Sequence, residues 1–514
     1  MPNPLFVKPR QRRTAPRLRR AVLASLGQVT AAGSLETMRD LAVDVLCDDS
    51  LAHVVDLVAY VDGDSIVTAN ASGASRLSRA DLEAPAEVIR GRDPVATQDP
   101  LAFSTLADEL ADPSPPNERN SYPWAAERLT SLFAAPAAPD LAVVHTGRHY
   151  FPDRRGHRGE HGSLSVVQSR APLILSGPDV IGRGTIPVAA RVIDVAPTLA
   201  WLSGVSLATL GDMDGQALVD LLVPRPDSKV VGLLWDGCNA NSLYALAASG
   251  ELPSVARLLS NGCALSGGAI AEFPSVTLVN HTCALTGVGP GRHGIVNNEY
   301  FDRAAGLQRL TNEPRTWHRW AEWLSPGVRT VFERIDALTA CVNEPADAGA
   351  SYSTFDLVRA SGDDNGVSPN DSRLPSARDD AHASQEYVGS DGDYAWSSSV
   401  DAIGLTQMLD LWPSASEAPR LTWWNTLLTD TGHHAGGPHT PIAHASMRDA
   451  DRRLGVFLDH LERIGALEST TFVLTADHGS EGADPDCRGD WDVPLRAAGV
   501  QFRDEAFGFI YLGV

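Results

Sequence analysis

A chain of 514 residues, 43% apolar and 21% charged, has enough hydrophobic material for a large core, which excludes disorder of the whole chain. Its length fits either one large α/β domain with insertions or two domains. A formal charge of −22 argues against a specific nucleic-acid partner, because phosphate contacts need a basic face, and leaves carboxylates available to bind cations.

In chain order, residues 1–30 begin with Lys8, Arg10, Arg12, Arg13, Arg17, Arg19 and Arg20, which face no acidic residue in the first twenty and predict a basic flexible tail. The apolar stretch 21–26 is short for a secretory signal and no run reaches membrane-spanning length, so a cytoplasmic location without a transmembrane segment is expected, with export as the alternative. Cys47, Cys238, Cys263, Cys283, Cys341 and Cys487 lack CxxC spacing and read as reduced thiols.

The segment 34–47 predicts a helix, and 54–60 with 65–69 predicts a hairpin turning at Asp62-Gly63. A loop is expected at 112–122 and a short strand at 141–145. Next comes a segment rich in Arg and His, from Arg148 to Ser163, that reads either as a solvated basic loop or as part of a site at a strand end. A buried strand is expected at 171–177, a helix at 190–204, and a connector at 206–229.

From 230 the pattern becomes apolar strands that end in polar groups. The strand 230–234 ends in Trp235-Asp236-Gly237. A helix at 252–259 leads to Phe273-Pro274-Ser275-Val276-Thr277 and a helical run to Leu285, stopped by Gly287. Thr277 is there either an N-cap or a nucleophile, since a helix start favours anionic oxygens. A strand is expected at 329–332, and a polar insertion without periodicity at about 359–399. The strand 421–428 precedes Asp430 and His434, an amphipathic helix follows through Leu454, Phe457, Leu458 and Leu461, and the strand 471–475 ends in Asp477-His478-Gly479. A last strand is expected at 507–512.

Alternating strands and helices predict an α/β fold with a mainly parallel central sheet and helices on both faces. The carboxyl ends of such strands share one edge, so Asp236, the Asp430/His434 pair and the Asp477/His478 pair should converge into a site for zinc or a similar dication.

Trp235-Asp236-Gly237, Phe273-Pro274 with Thr277, Asn280-His281, Thr286-Gly287, His293-Gly294-Ile295 and Asn298 closely resemble the nucleotide pyrophosphatase/phosphodiesterase branch of the alkaline phosphatase superfamily. Asp430 with His434 and Gly437-Pro438 is similar to its second motif, although His433 stands where that family usually has glycine, and Asp477-His478-Gly479 matches the third. The resemblance spans roughly 230–480. It implies two divalent metal ions, zinc foremost: one held by Asp236, Thr277, Asp477 and His478, the other by Asp430, His434 and one further histidine. It also implies catalytic roles for Thr277, through a phosphothreonine intermediate, and for Asn298, as a donor to the phosphoryl group. The substrate would be a phosphodiester or nucleotide pyrophosphate. A phosphomonoesterase or phosphonate hydrolase is the alternative on the same scaffold, and a non-catalytic binding protein the alternative of another class. His281 and His293 are expected to serve as structural hydrogen-bonding groups, the metal shells being already filled.

The family's last histidine lies after the Asp-His-Gly motif, but no histidine follows His478 here. Gly159-Glu160-His161-Gly162-Ser163, with 171–177 and 194–199, resembles the missing C-terminal third. The expectation is a circular permutation of the alkaline phosphatase-like fold. Residues 31–225 would supply the C-terminal portion, with His161 as the last ligand, and 226–514 the N-terminal portion. A decayed copy followed by a truncated one is the rival arrangement.

Overall fold

Consecutive apolar residues, rather than alternating ones, mark strands covered on both faces. Val230, Val231, Leu233 and Leu234 are such a run, and in the computed structural model all four are buried in the largest core cluster. The structure describes residues 34–514 apart from 113–118, 152–155, 361, 363–367, 369–371 and 378–383, so the basic tail at 1–30 lies outside the described residues.

That run is the strand Lys229–Trp235 of an eight-stranded sheet, whose order is Tyr352–Ser353, Thr339–Val342, Leu421–Thr426, Lys229–Trp235, Thr470–Thr475, Leu173–Ser176, Gly262–Leu265 and Gly184–Ile186. The first five strands run parallel. Leu173–Ser176 is antiparallel to both its neighbours, and the edge strand Gly184–Ile186 is parallel to Gly262–Leu265. The mainly parallel α/β sheet is therefore as expected.

A second, fully antiparallel sheet of seven strands has the order Phe502–Glu505, Phe509–Leu512, Leu141–His145, Val55–Asp62, Ser65–Asn70, Gly73–Ser78 and Glu87–Gly91. Strand periodicity sends alternate residues to opposite faces. Phe509 and Tyr511 pack with the Ala125–Phe133 helix through Ala125, Leu129 and Leu132, while Ile510 and Leu512 pack with the Leu35–Leu46 helix through Ala42 and Leu46. The expected hairpin turns after Asp62, which pairs with Ser65, with Gly63 at φ +60°. Both of these sheets draw strands from before and after residue 226, so neither of them belongs to one part of the chain alone.

Several expectations need correction. The segment 190–204 begins as a strand, because Ala190–Arg191 pairs with Ala269–Ile270, and turns through a 3-10 stretch at Val192–Asp194 into an α-helix over Val195–Leu202. No strand forms at 329–332; Phe332–Arg334 is a 3-10 turn, and the strand is Thr339–Val342. The strand expected at 421–428 stops at Thr426, and Leu428–Gly436 is a helix. The strand expected at 507–512 begins at Phe509, after Phe507 at φ +56°.

The polar insertion at about 359–399 is in part ordered helix, since Gly392–Leu411 begins inside it. Its periodicity escapes notice because the helix is buried around most of its circumference and its polar residues find internal partners. Asp401 accepts from the backbone N–H groups of Leu427 and Leu428, at 2.9 and 3.2 Å, and Ser397 hydrogen-bonds Thr431 at 2.7 Å. Buried polar groups with partners cost little, so a sequence that reads as loop can be core. Among the described residues no helix is long and apolar enough to cross a membrane, and all six cysteines are free thiols.

Candidate active site and metal centre

In the central sheet Leu234 pairs with Thr475, which brings the ends of two parallel strands level. Asp236 leaves one and Asp477-His478 the other. The turn after Asp236 needs Gly237: its φ is +62°, its N–H donates to Asp477 Oδ1 at 2.9 Å, and a Cβ there would lie 2.3 Å from Asp430 Oδ1.

Asp430 and His434 are four residues apart on the Leu428–Gly436 helix and so share a face, with Nε2 3.1 Å from Oδ2. Asp401 holds the amino end of that helix. His433, one residue away, turns inward: it is buried, and its Nδ1 faces the Thr429 carbonyl, so it stays out of the pocket. His439 is also outside, paired with Glu109 and Ser242.

His161 reaches the same edge from the other part of the chain. The short strand Gly159–Glu160 pairs with Glu481–Gly482, just beyond Asp477-His478, and the Gly159 carbonyl meets His434 Nδ1 at 2.7 Å. The His161 ring stacks on His478 at 3.8 Å, and its Nδ1 donates to the Ser275 carbonyl at 3.1 Å, which leaves Nε2 as an acceptor. Gly162 follows at φ +105°, where a Cβ would meet the Phe507 ring at 2.4 Å.

Thr277 is the first residue of its helix, and Val276 takes the N-cap position, with no side-chain cap. The N-cap role considered for Thr277 is therefore not realised. Asn298 Oδ1 accepts from Leu278 N–H at 2.9 Å instead, which leaves the Asn298 amide hydrogens free of that helix. The Thr277 hydroxyl lies 3.5 Å from His478 Nε2.

Two compact ligand sets result. One atom each from Asp236, His281 and Asp477 lie within 4.8 Å of one another, and so do one each from His161, Asp430 and His478. A third group, His157, Glu160 and His434, adjoins the second. All seven expected ligand residues thus gather at one edge. His281 Nε2 lies 3.7 Å from Asp236 and 3.6 Å from Asp477, while its Nδ1 is 2.8 Å from Glu344. It stands inside the carboxylate cluster. His293 keeps the structural role: Ile295 N–H donates to its Nδ1 and Cys283 meets its Nε2.

Glu344 escaped the sequence reading. Its signal was an Asn343-Glu344 pair at the carboxyl end of a strand, hidden because the strand was expected ten residues earlier.

The electrostatics of the two sets differ. Burial first, then Asp477, Asp430 and Glu344, push the Asp236 carboxyl well above its ordinary range. Burial also opposes ionisation of Asp430, but His434, His161 and His478 outweigh it and hold that carboxyl low. Burial disfavours charge on His434, yet Asp430 raises it to about 9. His161 is pushed well below its usual value by burial and by His478, so its ring is neutral.

Asp236 Oδ1, Asp430 Oδ1 and Asp477 Oδ2 are buried without a hydrogen-bond partner among the described residues. Buried carboxyl oxygens need compensation, and oxygen and imidazole donors in this number suit a divalent ion. The residues present therefore fit metal binding. A cleft of about 420 Å³ opens over them, lined by Thr277, Leu278, Trp317, Trp396, Leu427 and Asn425 among others. Its described lining contains no lysine or arginine.

A family profile described as type I phosphodiesterase / nucleotide pyrophosphatase matches residues 230–511, more than half of the chain. The alkaline phosphatase PafA of Elizabethkingia meningoseptica is 34% identical over 108 residues, 21% of this chain and 19% of that protein. An uncharacterized pyrophosphatase/phosphodiesterase of Schizosaccharomyces pombe is 34% identical over 87 residues, 17% of each. The matched stretches thus span less than a fifth of these relatives. Among solved structures, murine ectonucleotide pyrophosphatase / phosphodiesterase 5 in complex with AMP is 18% identical, with a TM-score of 0.31 over 49% of this chain and 57% of that one. Phosphonoacetate hydrolase from Sinorhizobium meliloti 1021 in complex with phosphonoformate is 21% identical, with a TM-score of 0.33 over 52% and 59%. By the profile match, the chain belongs to the type I phosphodiesterase / nucleotide pyrophosphatase family.

Proposed function

We propose that this protein hydrolyses phosphodiester or nucleotide pyrophosphate bonds with Thr277 as nucleophile and two divalent ions, zinc foremost, as cofactors. The observation that carries the reading is the Thr277 hydroxyl. It has no capping duty at its helix start, lies 3.5 Å from His478 Nε2, and lines the cleft together with Asp236, His281, Asp430 and His434.

Asp236, Thr277, Asp477 and His478 would hold one ion and Asp430, His434 and His161 the other. Bound there, such ions lower the pKa of a coordinated hydroxyl and offset charge on phosphoryl oxygens. Thr277 Oγ attacks phosphorus, forming a P–O bond as the bond to the leaving alcohol or nucleotide breaks. Water then cleaves the phosphothreonine and restores the hydroxyl. The Asn298 amide, oriented by its bond to Leu278 N–H, donates to a non-bridging oxygen. His281, held by Glu344 at Nδ1, presents Nε2 to both Asp236 and Asp477.

The described lining favours a diester over a monoester. A monoester brings a second negative charge, which a lysine or arginine would match, and the described lining has neither. Trp317, Trp396 and Leu278 give an apolar wall for the second substituent of a diester.

A circular permutation underlies this site in our reading. It is supported by the single, unduplicated ligand set, by the Gly159–Glu160 pairing with Glu481–Gly482, and by both sheets drawing strands from both parts of the chain. The test is turnover of a nitrophenyl diester and the matching monoester alongside metal analysis, with Thr277→Ala as control. Metal bound with faster diester turnover, abolished in the variant, is the expected result. No metal and no hydrolysis of either ester overturns the enzyme reading in favour of a binding protein.

A further inference from the structure

The third ligand group, His157, Glu160 and His434, contains two residues that have no part in the proposed reaction. One ligand atom from each member lies within 4.8 Å of the other two. His157 Nδ1 is 3.7 Å from Glu160 Oε1, too far for a hydrogen bond and near the spacing of two ligands on one tetrahedral dication, about 3.4 Å. The His157 ring lies over that of His434, with centroids 4.0 Å apart and planes tilted by 31°.

The backbone holds this group together. Arg158 N–H donates to the His434 carbonyl at 2.7 Å, His434 Nδ1 meets the Gly159 carbonyl at 2.7 Å, and Gly159–Glu160 pairs with Glu481–Gly482. The close approach requires Gly159, because a Cβ there would lie 2.4 Å from the His433 carbonyl. His157 and Glu160 thus flank two residues that are bonded directly to the turn carrying His434.

His434 links this group to the Asp430 set. Its Nδ1 faces a carbonyl and so carries the hydrogen, which leaves the one lone pair on Nε2, 3.1 Å from Asp430 Oδ2. One lone pair serves one ion at a time. The two groups are therefore alternative positions for a single ion. They differ in access: His157 and His434 line the cleft with side chains 29% and 18% exposed, whereas His161 and His478 are 2% and 0% exposed.

We propose that His157, Glu160 and His434 form a capture position through which the divalent ion of the Asp430 set enters and leaves. His157 and Glu160 take the ion from the cleft, His434 stays bound to it, and Asp430 and His161 replace the first two as the ion moves inward. Replacing ligands one at a time spares a dication most of the desolvation cost of entering a buried site. The capture position rests on the two-ion reading of the catalytic edge.

The test is the kinetics of zinc exchange in the full chain, with zinc chloride added to metal-free protein for uptake and a chromogenic zinc chelator added for release. A position on the path lowers the barrier in both directions. His157→Phe, which keeps a ring over His434 but has no lone pair, should therefore slow uptake and release of the faster-exchanging ion by the same factor, about tenfold or more, with equilibrium affinity unchanged. Glu160→Gln gives the same comparison if His157→Phe fails to fold. Wild-type exchange rates in the folded variants, or weakened affinity with unchanged uptake, overturn the capture position and leave the two-ion reading standing. A wild-type chain that binds no zinc overturns both.

Discussion

The two ligand sets at the sheet edge use similar residues in opposite ways. Asp236, His281 and Asp477 are all buried, and their carboxylates face one another and Glu344, so burial and like charge drive Asp236 toward its neutral form. Asp430 and His434 are partly exposed to the cleft; there the histidines outweigh burial and keep Asp430 ionised. A buried carboxylate cluster demands a cation, whereas a carboxylate already paired with histidine can exchange that partner for one. The Asp236 set, the deep set by burial, therefore fits a tightly held ion, and the Asp430 set, whose Asp430 is partly exposed in the cleft, one that exchanges more readily.

The harshest way to break the site is to remove the hydroxyl that faces the cleft beside His478. Thr277→Ala should lower kcat/KM by at least about a thousandfold while metal content stays near wild type, as expected when a nucleophile that acts as a unit with its partners is lost. Steady-state kinetics with metal analysis checks it, and substantial residual turnover would assign the attack to another group.

His161→Ala removes a ligand from the Asp430 set alone, although its ring also stacks on His478. That set's metal affinity should fall at least about 100-fold while the deep ion stays, so dialysed protein should retain one ion of two. If metal content and turnover are both unchanged, the histidine loop from the earlier part of the chain does not complete the site, and the permutation reading fails with it.

Glu344→Gln strikes only the deep set, and indirectly. It removes the charge facing His281 Nδ1, and a loss of about 10- to 100-fold in activity or metal affinity is expected, as for other groups that orient ligands. Unchanged affinity for both ions would return His281 to a packing role.

The smallest effect is reserved for a buried carboxyl outside both sets. Burial raises Glu481 from 4.5 to about 8, against the hydrogen bond it accepts from Gln168. A carboxyl with a raised folded pKa contributes stability that is fully present below pH 4.5 and lost as pH rises through 8. Glu481→Gln should flatten that decline and raise Tm at pH 8 by roughly a few °C, read by calorimetry. An identical pH profile in wild type and variant would show that Glu481 does not titrate in this window.

The sequence alone was informative wherever a feature is local. Gly237, Gly287, the run 230–234 and the i, i+3, i+4 pattern at 454–461 encode their own conformations, because turn stereochemistry and side-chain periodicity act over a few residues. Parallel strands share an edge, so the convergence of Asp236 and Asp477 followed from the strand pattern, while Asp430 reaches that edge on the helix after its strand. Three things needed the tertiary fold. The Gly392–Leu411 helix looks like loop because its serines and Asp401 find partners on other elements. Asn298 replaces Thr277 as the group bonded to its helix start, a contact made across twenty residues. His281 and Glu344 join the metal edge through a pairing between distant segments, which no local pattern records, because packing brings together charges that the chain keeps apart.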